Sequence, residues 1–112
     1  MQLIQAVIKP NKLEAVKAAN TQLGVLGMTA VECKGFGRQL GHNERYRGPK
    51  MAAGFVPKVL VQVCVLDQQQ ASVVAAIVES ARTGNVGDGK IFVLPVSEVV
   101  RIRTGETAEA AL

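Results

Sequence analysis

The most constraining feature of this chain is an order of segments. Leu3 to Ile8 is an apolar run of strand length that Pro10 ends. Leu13, Val16, Ala19 and Leu23 then recur at helical spacing until Gly24 and Gly27 stop the helix. Asn11 with Glu14 three residues on is a capping-box pattern at its start. A second strand is expected from Met28 to Lys34. Gly35 to Gly54 follows, with five glycines, one proline and neither period. Stretches of that length inside a small domain are usually functional. From Val56 to Leu66 the alternation returns, Val59, Val61, Val63 and Val65 against Lys58, Leu60, Gln62, Cys64 and Leu66. Asp67 is expected to cap a helix, with Gln70 at the box position and Val73, Val74, Ile77 and Val78 on the buried face. That helix ends at Thr83-Gly84. A glycine-rich turn leads into a strand from Ile91 to Val96, and Val99 to Arg103 precedes an alanine-rich tail.

Strand-helix-strand, long connection, strand-helix-strand is the ferredoxin-like α+β arrangement, an antiparallel sheet with two helices on one face. At 112 residues the chain is one domain. The other sheet face should alternate polar outward. It does not: Leu3, Ile4, Val7 and Ile8 put apolar groups on both sides, as do Leu60, Val61, Cys64 and Val65. A contiguous apolar face exceeds what a soluble monomer normally exposes, so a homo-oligomer is expected.

Several classes drop out. The longest apolar stretches, such as Ala71 to Val78, fall far short of the about twenty residues a membrane span needs. No basic region precedes the apolar start, which is therefore not read as a signal peptide, and the expected location is cytoplasmic. Cys33 and Cys64 read as reduced core thiols rather than a disulfide. One histidine, His42, and no CxxC or HxxxH pattern argue against a protein-built zinc site. The net charge of +4 suits nucleic acid, anionic lipid or a phosphorylated small molecule. Phe36, Tyr46, Phe55 and Phe92 form no stacking platform by spacing, which speaks against nucleic acid.

The residues that can carry chemistry are few. Gly84 through Lys90 fits the start of a Walker A pattern, but Ile91 stands where Ser or Thr would hold magnesium. The turn also leads from a helix into a strand, so the helix-dipole argument is lost. What survives is a nest of backbone N–H groups beside Lys90, a cradle for an anion. The alternative is an ordinary helix-to-strand turn. Arg101 and Arg103, on an extended segment, point to one side and suit a polyphosphate, or form a basic edge that guards the sheet. Arg38 follows Gly35-Phe36-Gly37, whose glycines let a ligand approach the backbone. Arg38, Lys90, Arg101 and Arg103 equal the charge excess in number, as a triphosphate ligand would require. Asp88 reads as a capping residue of the turn. His42 reads as solvated. No nucleophile–base pair appears by spacing, so no enzyme is expected, slow incidental ATP hydrolysis aside.

Thr83 to Val96 (TGNVGDGKIFVLPV), Lys34 to Gln39 (KGFGRQ), Gly41-His42, Tyr46-Arg47-Gly48 and Arg101 to Glu106 (RIRTGE) together resemble the PII signal-transduction proteins over essentially the whole length. The resemblance implies a homotrimer of ferredoxin-like subunits that binds ATP or ADP competitively in clefts between subunits. It implies that Gly87, Asp88, Gly89 and Lys90 cradle phosphates with Arg38, Gly35 and Gly37, joined by Arg101 and Arg103 of a neighbouring subunit. Thr29, Gln62 and the Cys64 backbone would hold the adenosine, and Gln62 departs from the acidic residue common there. With magnesium and ATP the family also takes 2-oxoglutarate. Gln39 would ligate the magnesium, and Lys58 and Gly41 would complete the keto-acid site.

The long stretch resembles the family's T-loop, about residues 37–55, with a B-loop at about 82–90 and a C-terminal segment at 97–112. The T-loop would present Tyr46 and Arg47 to an ammonium channel, another transporter or a metabolic enzyme. Here the chain departs from the pattern. Met51 stands where a uridylylated tyrosine is usual, and Pro49 where some members carry a phosphorylated serine. No covalent switch is expected at those positions. The expected function is a non-enzymatic sensor of ATP, ADP and 2-oxoglutarate that regulates nitrogen metabolism. The alternatives are a divergent paralogue that serves a non-nitrogen transporter or enzyme, and an RNA-binding ferredoxin-like module.

Overall fold

A computed structural model describes residues 1–37 and 54–112. Strand β1 spans Gln2–Ile8, a 3-10 turn Pro10–Lys12, helix α1 Leu13–Gln22 and strand β2 Thr29–Gly35. Strand β3 spans Val56–Val65, a second 3-10 turn Asp67–Gln69, helix α2 Gln70–Ala81 and strand β4 Lys90–Pro95. A last 3-10 turn covers Ala108–Ala111. The sheet runs β2-β3-β1-β4, with every neighbouring pair antiparallel. This is the α+β ferredoxin-like fold. No helix among the described residues is long and apolar enough to cross a membrane.

Strand register decides the two faces. Ile4 opposes Val63, Ala6 opposes Val61 and Ile8 opposes Val59, and all six are buried beneath the helices. Val16 of α1 and Val73, Ile77 and Ala81 of α2 close this core. The opposite face carries Leu3 against Cys64, Gln5 against Gln62 and Val7 against Leu60. Leu94, Phe92 and Lys90 of β4 extend those three rows in the same order. The row through Leu3 is apolar, as expected; the row through Val7, which Val31 of β2 extends, is apolar until Lys90 ends it with a charge. The middle row, completed by Thr29, carries two glutamines.

Four local expectations need correction. Asn11 does not cap α1: the chain enters a 3-10 turn one residue earlier, at Pro10, so Asn11 lies inside the first turn. Asp67 does not cap α2. Its carboxylate instead meets the Met1 amine at 2.9 Å and the Gln2 side-chain amide at 3.1 Å. Gln70 does not take the box position: the Gln69 side chain accepts the Leu66 N–H at 2.9 Å, the half of a capping box that a leucine permits. Leu23 is exposed, and the buried position of that turn of α1 belongs to Asn20. The Asn20 carbonyl accepts from Leu23 and Val25 while Gly24 donates to Thr21, a Schellman arrangement that ends the helix.

Cys33 and Cys64 are free and only half-buried, so they are not core thiols. Both lie on the open sheet face. Cys33 opposes Lys58, six positions from Cys64 along β3, which is about 20 Å at strand rise. A disulfide needs Cα atoms within about 7 Å, so this separation excludes one.

Candidate functional site

The open sheet face ends in a cavity at each side, and the expected site residues divide between them.

The first cavity, of about 510 Å³, is lined by Val7, Gly35, Phe36, Gly37, Lys58, Phe92 and the run Asn85 to Lys90. Lys58 forms its floor. β3 places this lysine on the open face, yet only 6% of it is exposed. Its stem crosses Gly35 so closely that a side chain at 35 would begin 2.8 Å from Lys58 Cγ, which is why β2 ends on a glycine. Lys58 Nζ donates to the Gly87 carbonyl, its acceptor among the described residues. Burial, and then the neighbouring Lys9 ammonium, hold the Lys58 pKa below its ordinary value. An ammonium with three donors, short of water and beside a second cation, favours an anion at this spot.

The turn over Lys58 has positive φ at Gly84, Gly87 and Gly89. Gly89 admits no other residue, since a Cβ there would overlap the Val7 carbonyl oxygen of β1. The shape of the turn comes from Asp88. Its carboxylate accepts from the Thr83 N–H and the Gly84 N–H, each at 2.8 Å, and from the Thr83 hydroxyl. Lys9 Nζ lies 3.3 Å from the same carboxylate and donates to the Thr83 hydroxyl oxygen at 3.2 Å. These bonds, the Thr83 hydroxyl foremost, hold the Asp88 carboxyl well below the usual carboxylate range. Asp88 therefore caps the turn, as its sequence context suggests. Its side-chain acceptors are engaged by the turn and by Lys9.

The second cavity, of about 640 Å³, lies at the other side. Gly24 to Thr29, Leu3, Gln62, Cys64, Val99, Arg101 and Leu112 are among its walls. Thr29, Gln62 and Cys64 thus sit with Arg101 of their own chain, away from Lys58 and the glycine turn. Arg101 is engaged within the chain. Its Nη2 donates to the Leu112 backbone oxygen at 2.7 Å, and its Nε lies 3.9 Å from Glu106. The extended geometry expected for Arg101 and Arg103 is not present. Val100 bridges Thr107, and the chain then reverses through a turn closed by the Gly105 N–H on the Arg101 carbonyl at 2.7 Å. Arg103 lies within that turn, so spacing by two no longer aligns the pair.

Arg38, Gln39, Gly41, His42, Tyr46, Arg47, Pro49 and Met51 lie outside the described residues. At the two ends of that segment the rings of Phe36 and Phe55 meet with centroids 5.4 Å apart, tilted by 42°. Neither this contact nor the place of Lys9 is legible in the sequence. Neither residue type signals a partner until β2, β3 and the turn are assembled. No group of three or more His, Cys, Asp or Glu side chains suited to a metal ion occurs among the described residues.

These features define a ferredoxin-like α+β protein with a lysine-flanked glycine turn at one end of an open sheet face. Residues 1–106 match the family model described as nitrogen regulatory protein P-II. The chain is 52% identical to the nitrogen regulatory protein P-II of Rhizobium meliloti over 112 residues, the full length of both. It is 49% identical to the nitrogen regulatory protein GlnK of Escherichia coli K12, again over the full length of both. The chain belongs to the nitrogen regulatory protein P-II family, a family of signal-transduction regulators.

Proposed function

We propose that this protein is a non-enzymatic, cytoplasmic homotrimer that senses ATP, ADP and 2-oxoglutarate. The observation that carries the reading is the nearly buried Lys58 ammonium beneath a turn whose backbone is opened by three positive-φ glycines. The division of the site supports the trimer. Gly35, Gly37, Lys58 and Gly87 to Lys90 form one half, and Thr29, Gln62, Cys64 and Arg101 form the other. An adenylate would use the phosphate half of one subunit and the adenosine half of the next, with Arg38 and Arg103 adding charge. The apolar rows of the open face would be covered by the other subunits.

Gln39 would ligate the magnesium that 2-oxoglutarate chelates, with Lys58 and Gly41 beside the keto acid. Segment 37–55 would report the bound state to a transporter, such as an ammonium channel, or to a metabolic enzyme through Tyr46 and Arg47. With Met51 at the usual tyrosine position, the signal would pass by binding alone. A ligand moves the loop only by its differential affinity for the loop's states, and about 1–3 kcal/mol of coupling is typical.

The test is calorimetry on the full chain with ATP, ADP, and ATP with magnesium and 2-oxoglutarate. Gln39→Ala is expected to lose 2-oxoglutarate binding and keep ATP binding. Unchanged binding of 2-oxoglutarate refutes the magnesium assignment.

A further inference from the structure

We propose that Lys9 is a positioning residue of the phosphate-binding turn: its ammonium neutralises the Asp88 carboxylate that shapes the turn and thereby lets the turn accept a phosphate. The proposal rests on the nucleotide reading above.

The argument starts from a conflict of charge. Asp88 gathers the Thr83 and Gly84 N–H groups and the Thr83 hydroxyl, and so fixes the backbone from 83 to 88. Its neighbours Gly87, Gly89 and Lys90 line the cavity that would take an anion. An uncompensated carboxylate at the rim of that cavity repels the anion the turn is shaped to hold. Lys9 removes the conflict. Its Nζ lies 3.3 Å from the Asp88 carboxylate and 3.2 Å from the Thr83 hydroxyl oxygen, so one cation spans both ends of the loop. The Lys9 and Asp88 side chains are only 27% and 23% exposed, which limits screening of the pair by solvent.

The backbone delivers Lys9 to this position. Pro10 follows it, and a residue before proline is held extended; Lys9 has φ −68° and ψ 140°. Two residues earlier, Val7 pairs with Lys90 and its carbonyl presses on Gly89. β1 thus docks against the turn at Val7 and clamps it electrostatically at Lys9. No phosphate contact is required of Lys9.

The experiment is titration of the full chain with ATP and ADP, for wild type, Lys9→Met, Lys9→Arg and the exposed-site control Lys17→Met. Amide exchange at Thr83 and Gly84 is followed alongside. Lys9→Met is expected to weaken ATP by about tenfold or more and to speed exchange at both amides, as loss of a charge-assisted contact implies. Lys9→Arg should stay within about threefold of wild type, since the charge remains. Lys17→Met, with the same change in net charge, should leave ATP binding unaltered. On an Asp88→Asn background, Lys9→Met should cost far less than on wild type, a coupling that a purely structural lysine would not show. Should Lys9→Met fail to fold alone, recovery of the thermal midpoint and of ATP binding by Asp88→Asn supports the pairing, and failure in both backgrounds overturns it. Equal ATP affinity and equal exchange in wild type and Lys9→Met also overturn it. Absence of ATP binding by wild type instead removes the nucleotide reading itself.

Discussion

The two ends of the open sheet face are built differently. At the Lys58 end, three parts of the chain lock together: the end of β1 through Val7 with Lys9 just beyond it, the end of β2 through Gly35, and the turn through Gly87, Asp88 and Gly89. Each contact depends on another, so the polar atoms arrive in fixed positions. At the Arg101 end, the cavity is closed by the C-terminal segment, held chiefly by the bond from Arg101 to Leu112 and a turn around Glu106. The first end is cross-braced between elements far apart along the chain. The second is held by contacts made within the C-terminal segment itself, not by a lock between strand ends.

Three substitutions test that difference, in order of expected effect. Gly89→Ala attacks the rigid end, because a Cβ overlaps the Val7 carbonyl and φ is +105°. It is expected to destabilise the fold by about 3 kcal/mol, a drop of more than about 10 °C in thermal midpoint for a chain of this size. A midpoint within a few degrees of wild type would show that the turn is not locked to β1.

Thr83→Val probes the same end through its charge. The folded-state pKa of Asp88 is depressed, so its contribution to stability is present above the ordinary carboxylate pKa and is lost as pH falls through the folded value. Removing the hydroxyl raises that value. The variant should therefore be less stable than wild type by about 1 kcal/mol near neutral pH, and the two curves should converge below about pH 4 and downward. Denaturant unfolding across that range reads both. A gap that stays constant to low pH would mean that the hydroxyl acts by packing alone.

Arg101→Ala addresses the loose end. Loss of one exposed hydrogen bond should cost about 0.5–1 kcal/mol at most, yet free the segment beyond Val100 to exchange faster. A larger loss of stability would show that this end too is locked, and would erase the contrast.

Much of the fold was legible from residue order. The alternation in β3 is regular enough that Val59, Val61, Val63 and Val65 are all buried on one face. Strand limits differed by a residue or two because pairing partners, not composition, set where a ladder ends. The caps were not legible, since Asn11 and Asp67 fit a capping pattern locally while the chain takes a 3-10 turn in each place. The site was legible as residue types. Glycines beside a lysine mark the turn as a candidate anion cradle, with an ordinary helix-to-strand turn as the alternative. The grouping was not legible, because spacing by two aligns Arg101 and Arg103 only on an extended segment, and this segment turns back on itself.

By itself, then, the sequence determined the βαβ-βαβ order, the buried valine rows and the glycine–lysine chemistry of the turn, because these follow from periodicity and side-chain type. Tertiary structure alone decided that Lys58 is buried beneath the turn, that Lys9 reaches Asp88, and that Thr29, Gln62 and Cys64 share a cavity with Arg101 rather than with Lys58. Those relations join residues far apart along the chain. They exist only once sheet register has fixed which side chains meet at each end of the open face.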